Sequence, residues 1–305
     1  MESIAPLIAA SINAGTPLML AALGLLINEK SGVVNLGAEG MMLVAAIIGF
    51  ATTIHSGNVA LGFAAGAASG MLLSGFFAWM TVWLGTNQYA TGLALSLSGA
   101  GISTYIGIDY VGNSLQNGKF ALPWLSDIPF VGVALFRQHP MVYLSLLLCA
   151  ASAWFLYKTR AGLVLRAVGE APSSAHALGY DVRRIRLCAV MFGGACCGLA
   201  GAFLSLVYTP LWVEGMVAGR GWIALALTTF ATWRPARVAG GAYLFGGVTI
   251  LTFHAQGLGV PVASQLLSML PYIATIVVLV LISSNANYIK LNMPASLGKH
   301  FNPDS

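Results

Sequence analysis

Glu29, Asn35 and Glu39 fall in one short stretch, GLLINEKSGVVNLGAEGMM (residues 24–42), with apolar sequence on both sides. Two carboxylates and a carboxamide in such a setting either hold backbone amides or bind a polar solute. Asn35 stands where it can cap the following helix, which puts Glu39 in that helix's first turns, near the positive end of its dipole. Asn87, Gln88 and Thr91 form a second polar group, at the start of a later apolar run. Reactive chemistry is not spelled out. There is no His-Glu-x-x-His, no serine-nucleophile turn and no paired-aspartate motif for intramembrane hydrolysis. Gly118-Lys119 is followed by Phe120 and Gly298-Lys299 by His300, so neither is a phosphate-binding P-loop. The cysteines, Cys149, Cys188, Cys196 and Cys197, have neither metal-ligand spacing nor a disulfide pattern, and read as small buried apolar residues. The sequence therefore predicts no catalytic residue, no metal and no cofactor.

The elements that must position these groups follow from composition. Of 305 residues, 58% are hydrophobic and 8% charged, with a mean hydropathy of +0.82. A soluble domain carries about 25% charged residues, so this chain is built for lipid. Apolar runs at 4–27, 38–54, 59–84, 88–108, 140–157, 187–209, 221–233, 238–256 and 268–284 read as spans. The expected fold is an all-α, polytopic helical bundle of about eight to ten transmembrane helices. The run 221–233 is short and follows a glycine-rich segment with Glu214 and Arg220, which predicts a broken or re-entrant helix. Gly62, Gly66 and Gly70, and Gly194 and Gly198, recur every four residues as faces for close helix packing. His254, in an apolar run, reads as an interior residue rather than a proton relay. The first basic residue is Lys30, so no cleaved leader is predicted.

Charge sets the orientation. The loop 158–186 holds Lys158, Arg160, Arg166, Arg183, Arg184 and Arg186, six of the fourteen Lys and Arg residues. With this loop cytoplasmic and the spans alternating, Lys30, Arg234, Arg237, Lys290 and Lys299 also lie inside. Only Lys119, Arg137 and Arg220 lie outside, in accord with the positive-inside rule. The pI near 9.1 is thus explained by cytoplasmic loops, and no nucleic-acid partner is expected. The division is a membrane domain over 1–285, with an outer loop at 109–139 that forms interfacial helices around Trp124, and a loosely ordered cytoplasmic tail over 286–305.

Inside the basic loop lies a segment with its own start and stop. Pro172 suits the first helical position, Gly179 supplies a left-handed cap, Glu170 stands by the positive end, and Ala175 and Leu178 share a face. Two turns cannot span a bilayer; they can sit parallel to it and fit a partner's groove.

Three blocks together carry a family resemblance: SGVVNLGAEGMMLVAA (31–46), TRAGLVLRAVGEAPSSAHALGYDV (159–182) and GGACCGLAGAFLSL (193–206). In order and spacing they resemble the permease subunits of bacterial ABC importers for ribose-type sugars, branched-chain amino acids and nucleosides. The likeness runs over about residues 10–284, and the VVNLGAEGMM form is most similar to the shorter permease of nucleoside importers. The resemblance implies an inner-membrane, multi-pass permease without enzymatic activity. Its implied partners are a cytoplasmic ABC ATPase, a second related permease, an extracytoplasmic substrate-binding protein and membrane lipid. It also implies that Glu170, Ala171, Pro172, Ser173, Ala175, Leu178 and Gly179 belong to the helix coupled to the ATPase, with Arg166, Arg183, Arg184 and Arg186 at the membrane surface or against the ATPase. Pro172-Ser173-Ser174 departs from the more charged or alanine-rich turn of relatives. Asn35, Glu39, Asn87, Gln88 and Thr91 are the candidates for the translocation path of a nucleoside. The alternatives are a sugar or amino-acid cargo, an ion-coupled transporter using Glu39, Glu214 or His254, and an intramembrane enzyme.

Overall fold

In lipid every backbone polar group must be satisfied within the protein, so apolar runs of about 20 residues cross as helices. The computed structural model describes residues 4–115, 132–257 and 292–302, together with scattered residues between 266 and 280. In chain order the helices are α1 (Ile4–Lys30), α2 (Ala38–Ser56), α3 (Val59–Ala78), α4 (Gln88–Gly107), α5 (Pro140–Lys158), α6 (Arg160–Glu170), α7 (Pro172–Ala177), α8 (Val182–Phe203), α9 (Arg220–Phe230) and α10 (Pro235–Gly257). Helices α3 and α8 are each prolonged by a π-helical turn, Trp79–Trp83 and Leu204–Tyr208. Seven of these helices are long and apolar enough to cross a membrane: α1, α2, α3, α4, α5, α8 and α10. The short run expected at 221–233 is α9, of 11 residues, too short to span. The run 268–284 and Trp124 lie wholly or largely outside the described residues.

Helices α1, α2 and α8 form the centre, and their buried Leu, Met and Ala side chains make the main apolar core with α9 and α10. Close approach depends on glycine. A Cβ on Gly70 of α3 would lie 2.2 Å from the Gly194 carbonyl oxygen, and one on Gly198 of α8 would lie 2.2 Å from that of Gly66. Backbone meets backbone along this seam, as the four-residue spacing predicts. Cys196 and Cys197 are buried in α8, but Cys188 is exposed. The helical phase explains the difference: Arg186, Ala189, Val190 and Gly193 turn inward, and position 188 falls on the opposite side.

The tail departs from expectation. Residues 292–302, which the sequence predicts to be loose, are docked under the bundle: Ser296 N donates to Gly169 O (3.0 Å) and Gly298 N to Gly32 O (3.1 Å). Polar composition conceals the reason, which is that buried carbonyls at the end of α6 and in the α1–α2 connection, outside any helical ladder, need donors.

Replacing Gly70 with Leu forces apart two backbones, and overpacking of this kind costs about 3 kcal/mol. The expected outcome is a lower melting temperature of the purified protein, with Gly75→Leu as the control, since a Cβ there meets nothing nearer than 3.8 Å. Equal melting of the two variants would contradict the seam.

Candidate functional site

Helix α7 begins at Pro172, whose missing N–H needs no partner there, and has no side-chain cap at Ala171. It ends in a paired motif: Gly179 N donates to His176 O (2.8 Å) and Tyr180 N to Ala175 O (3.2 Å), with Gly179 at φ +88°. Ala175 is 3% exposed and packs with Val168 of α6 and Val182 of α8 in a small apolar cluster of its own. Ser173, Ser174, His176 and Leu178 face outward, Leu178 with 78% of its surface free. The helix is thus anchored by one buried face and offers the other, and Ala175 and Leu178, expected to share a face, separate because Leu178 lies at the C-cap beyond the last helical residue. Glu170 ends α6, and its carboxylate accepts from Ala295 N at 3.4 Å instead of capping α7.

The flanking cations do not all lie at the surface. Arg184 is exposed and paired with Asp181 at 2.9 Å. Arg186 is 2% exposed, which corrects its expected surface position. It lies on the inward face of α8. Its Nε donates to Ser31 O (3.1 Å), and its two terminal nitrogens donate to Ser296 Oγ (3.1 Å) and Lys299 O (3.2 Å).

The connection 31–37 between α1 and α2 is unwound and almost wholly buried. Its backbone groups find partners in α4 and in itself: Val34 N donates to Gln88 Oε1 (2.8 Å), Leu36 O accepts from Ser96 Oγ (2.8 Å), and Gly37 N donates to Asn35 Oδ1 (2.9 Å). Asn35 therefore braces the turn before α2, whose cap position, Gly37, makes no side-chain cap. Gln88 and Asn35 are buried. Asn87 is exposed and caps α4 through Tyr89 N and Ala90 N, and Thr91 donates to Thr86 Oγ1 at 2.9 Å.

Glu39 lies in the first turn of α2, but its carboxylate serves another helix. Oε1 accepts from Gly219 N (2.8 Å) and Oε2 from Gly221 N (2.7 Å), at the N-terminus of α9. A carboxylate there satisfies free amides and favours the dipole. Glu29 holds the opposite end. It accepts from Thr228 Oγ1 (3.0 Å) and from Trp233 Nε1. Thr232 and Trp233 stand at φ +50° and +52°, a left-handed turn that costs a non-glycine residue about 1–2 kcal/mol and persists where its surroundings fix it. Sequence reading placed Glu29 beside Glu39 but missed Thr228, Trp233 and the role of Arg186. The available signal was a second acid in an apolar run, with a Thr and a Trp bounding a helix too short to span.

The Glu39→Ala variant leaves two amides of α9 without acceptors, at about 1–3 kcal/mol for each buried group. The expected result is a clear fall in melting temperature, with Glu39→Gln, which keeps one acceptor oxygen, in between. Identical melting of wild type and Glu39→Ala would remove Glu39 from this role.

Comparison with known proteins accords with this architecture. The family model described as "Branched-chain amino acid transport system / permease component" matches residues 7–282. The chain is 40% identical to a putative glucose ABC transporter permease of Haloferax volcanii, over 99% of each chain. It is 32% identical to a nucleoside ABC transporter permease of Lactococcus lactis, over 90% of this chain and 94% of the relative. It is 30% identical to a guanosine ABC transporter permease of Bacillus subtilis, over 98% and 99%. No solved structure matches. With the family model covering the bundle from α1 through α10 and its relatives matched along almost their whole length, the chain belongs to this family of ABC transporter permease components, integral proteins of the inner membrane and not enzymes.

Proposed function

We propose that this permease forms one half of an import pathway for a neutral, hydroxylated solute, a nucleoside. The other parts of the machine are a second related permease, an extracytoplasmic binding protein and a separate cytoplasmic ATPase that supplies the energy. One observation carries the choice of cargo class: Glu29 and Glu39 direct their carboxylates at the two ends of α9. A charged or zwitterionic solute would need a counter-charge to offset its desolvation, and these two acids already have partners. Asn87 and Thr91 at the start of α4 are the candidates for solute contact, while Asn35, Gln88 and Glu39 shape the wall behind them. The nucleoside and guanosine permeases among the relatives support this reading.

A monosaccharide is the second reading, favoured by the 40% identity to a putative glucose permease. It shares the neutral hydroxylated chemistry. A branched-chain amino acid fits less well, because it brings two charges into the bilayer. Ion coupling is also disfavoured: Glu39 is bound to α9, Glu214 accepts from Thr104 Oγ1 at 3.2 Å, and His254, expected from its apolar run to be interior, is exposed on α10.

Energy enters through α7. A short rigid helix can pass on the motion of an ATPase groove, provided its contacts differ between the two states. The exposed residues within Glu170 to Gly179, Leu178 among them, are the proposed contact, with Ala175 seating the helix from behind.

Uptake of labelled uridine, adenosine, glucose and ribose by cells with and without the gene tests the cargo. Loss of nucleoside uptake alone is expected; loss of glucose or ribose uptake alone would replace the nucleoside with a sugar. Uptake that survives ATP depletion and collapses with the proton gradient would overturn the ABC mechanism. Gly179→Pro tests the coupling helix, because proline fixes φ near −65° where the chain needs +88°. The variant is expected to reach the membrane in normal amount and to take up no more solute than cells lacking the gene. Normal uptake would free α7 from this role.

A further inference from the structure

The C-terminal segment 292–302 touches both α7 and the unwound connection between α1 and α2. On one side the Phe301 ring packs on the cluster of Val168, Ala175 and Val182 that seats α7. It also meets the His176 ring edge-on at 5.6 Å. Ser296 donates through N and Oγ to Gly169 O (3.0 and 2.6 Å), and Ala295 N to Glu170. On the other side Gly298 N donates to Gly32 O, and Lys30 Nζ donates to Asn292 O at 2.6 Å. The Arg186 guanidinium joins the two sides by reaching Ser31 O, Ser296 Oγ and Lys299 O together.

We propose that residues 292–302 are the second half of the coupling element, a strut that fastens α7 to the α1–α2 connection so that displacement of α7 is delivered there. This rests on α7 being the ATPase contact. The receiving end is well placed to use the motion. Only Lys30 separates Glu29 from Ser31 and Gly32, and Gly32 N donates to the Glu29 backbone O at 2.9 Å. Glu39 lies at the far end of the same connection. Moving this connection moves both carboxylates that hold α9. Helix α6 alone gives a narrower route, since it meets the connection where Gly169 abuts Lys30 O. Phe301 and Ser296 are thus positioning residues, acting through α7 and the connection rather than on the solute.

The test uses the assembled transporter, purified through an N-terminal tag on this chain and reconstituted in proteoliposomes. Three quantities are read: ATPase retained, ATP hydrolysed, and labelled uridine or glucose accumulated, whichever the wild type takes up. Phe301→Ala is expected to retain the ATPase while uptake per ATP falls about tenfold, a typical coupling magnitude. Phe301→Leu, which keeps the apolar contact, is expected to restore most of it. A purely structural role would lower the amount of transporter and leave that ratio unchanged. Removal of residues 294–305 is expected to act as Phe301→Ala does, more strongly; if the shortened chain does not accumulate, the ring substitution decides alone. An unchanged ratio in Phe301→Ala overturns the strut. Loss of the ATPase from that variant also overturns it, since the segment would then be a docking surface. A wild type that retains no ATPase, or shows no ATP-driven uptake of either solute, overturns the import reading itself, a failure visible before any variant is made.

Discussion

A helix that stops inside a bilayer leaves amides and carbonyls where water cannot reach them, and an unwound connection at the same depth leaves more. Each such group is costly unless protein satisfies it. The centre of this molecule is organised around that demand. Helix α9 stops short, and Glu39 meets its first amides while Glu29 meets Thr228 and Trp233 at its other end. The connection 31–37 is unwound, and Gln88, Ser96 and Asn35 meet its backbone. The two irregular pieces are therefore solved together: the acids that hold α9 flank the connection that α4 holds. Shifting any one of α1, α2, α4 or α9 leaves a polar group of another unmet.

The glycine seam has the opposite character. Between α3 and α8 the backbones meet closely at Gly66, Gly70, Gly194 and Gly198, with only the small side chains of Ser74 and Ala202 beside them. Two kinds of contact thus coexist in one bundle, an apolar seam that fits in one arrangement and a polar junction that has discrete donors and acceptors. Close packing resists gradual deformation, so motion is better accommodated where hydrogen bonds can exchange than where glycines interlock.

Local features were legible in the sequence. Seven of the nine apolar runs correspond to the long helices to within about five residues, the shortness of 221–233 foretold α9, and Pro172 and Gly179 marked the limits of α7, because each depends on neighbours along the chain. What stayed hidden depends on residues far apart. Glu39 stands in the first turn of α2, as its position suggests, yet its partners lie 180 and 182 residues away. Arg186 looked like one more surface cation among six and proved buried, because two of its three acceptors come from a tail whose polar composition suggests disorder. Cargo is a further step removed. Relatives aligned over nearly their whole length carry names for glucose, nucleoside and guanosine, and the family model is named for branched-chain amino acids, so the bundle alone does not select the solute.

The contacts of Arg186 bear on how the chain is made. Two of its partners, Ser296 and Lys299, are synthesised 110 and 113 residues after it. While α9 and α10 are still being inserted, the guanidinium has only Ser31 O from this set, and its other donors must be met by water or lipid headgroups. It can settle into its final position only once the end of the chain has emerged. The N-terminal end of α8 is thus completed late, after the spans that follow it, and the closing of this lock is a natural last step in biogenesis.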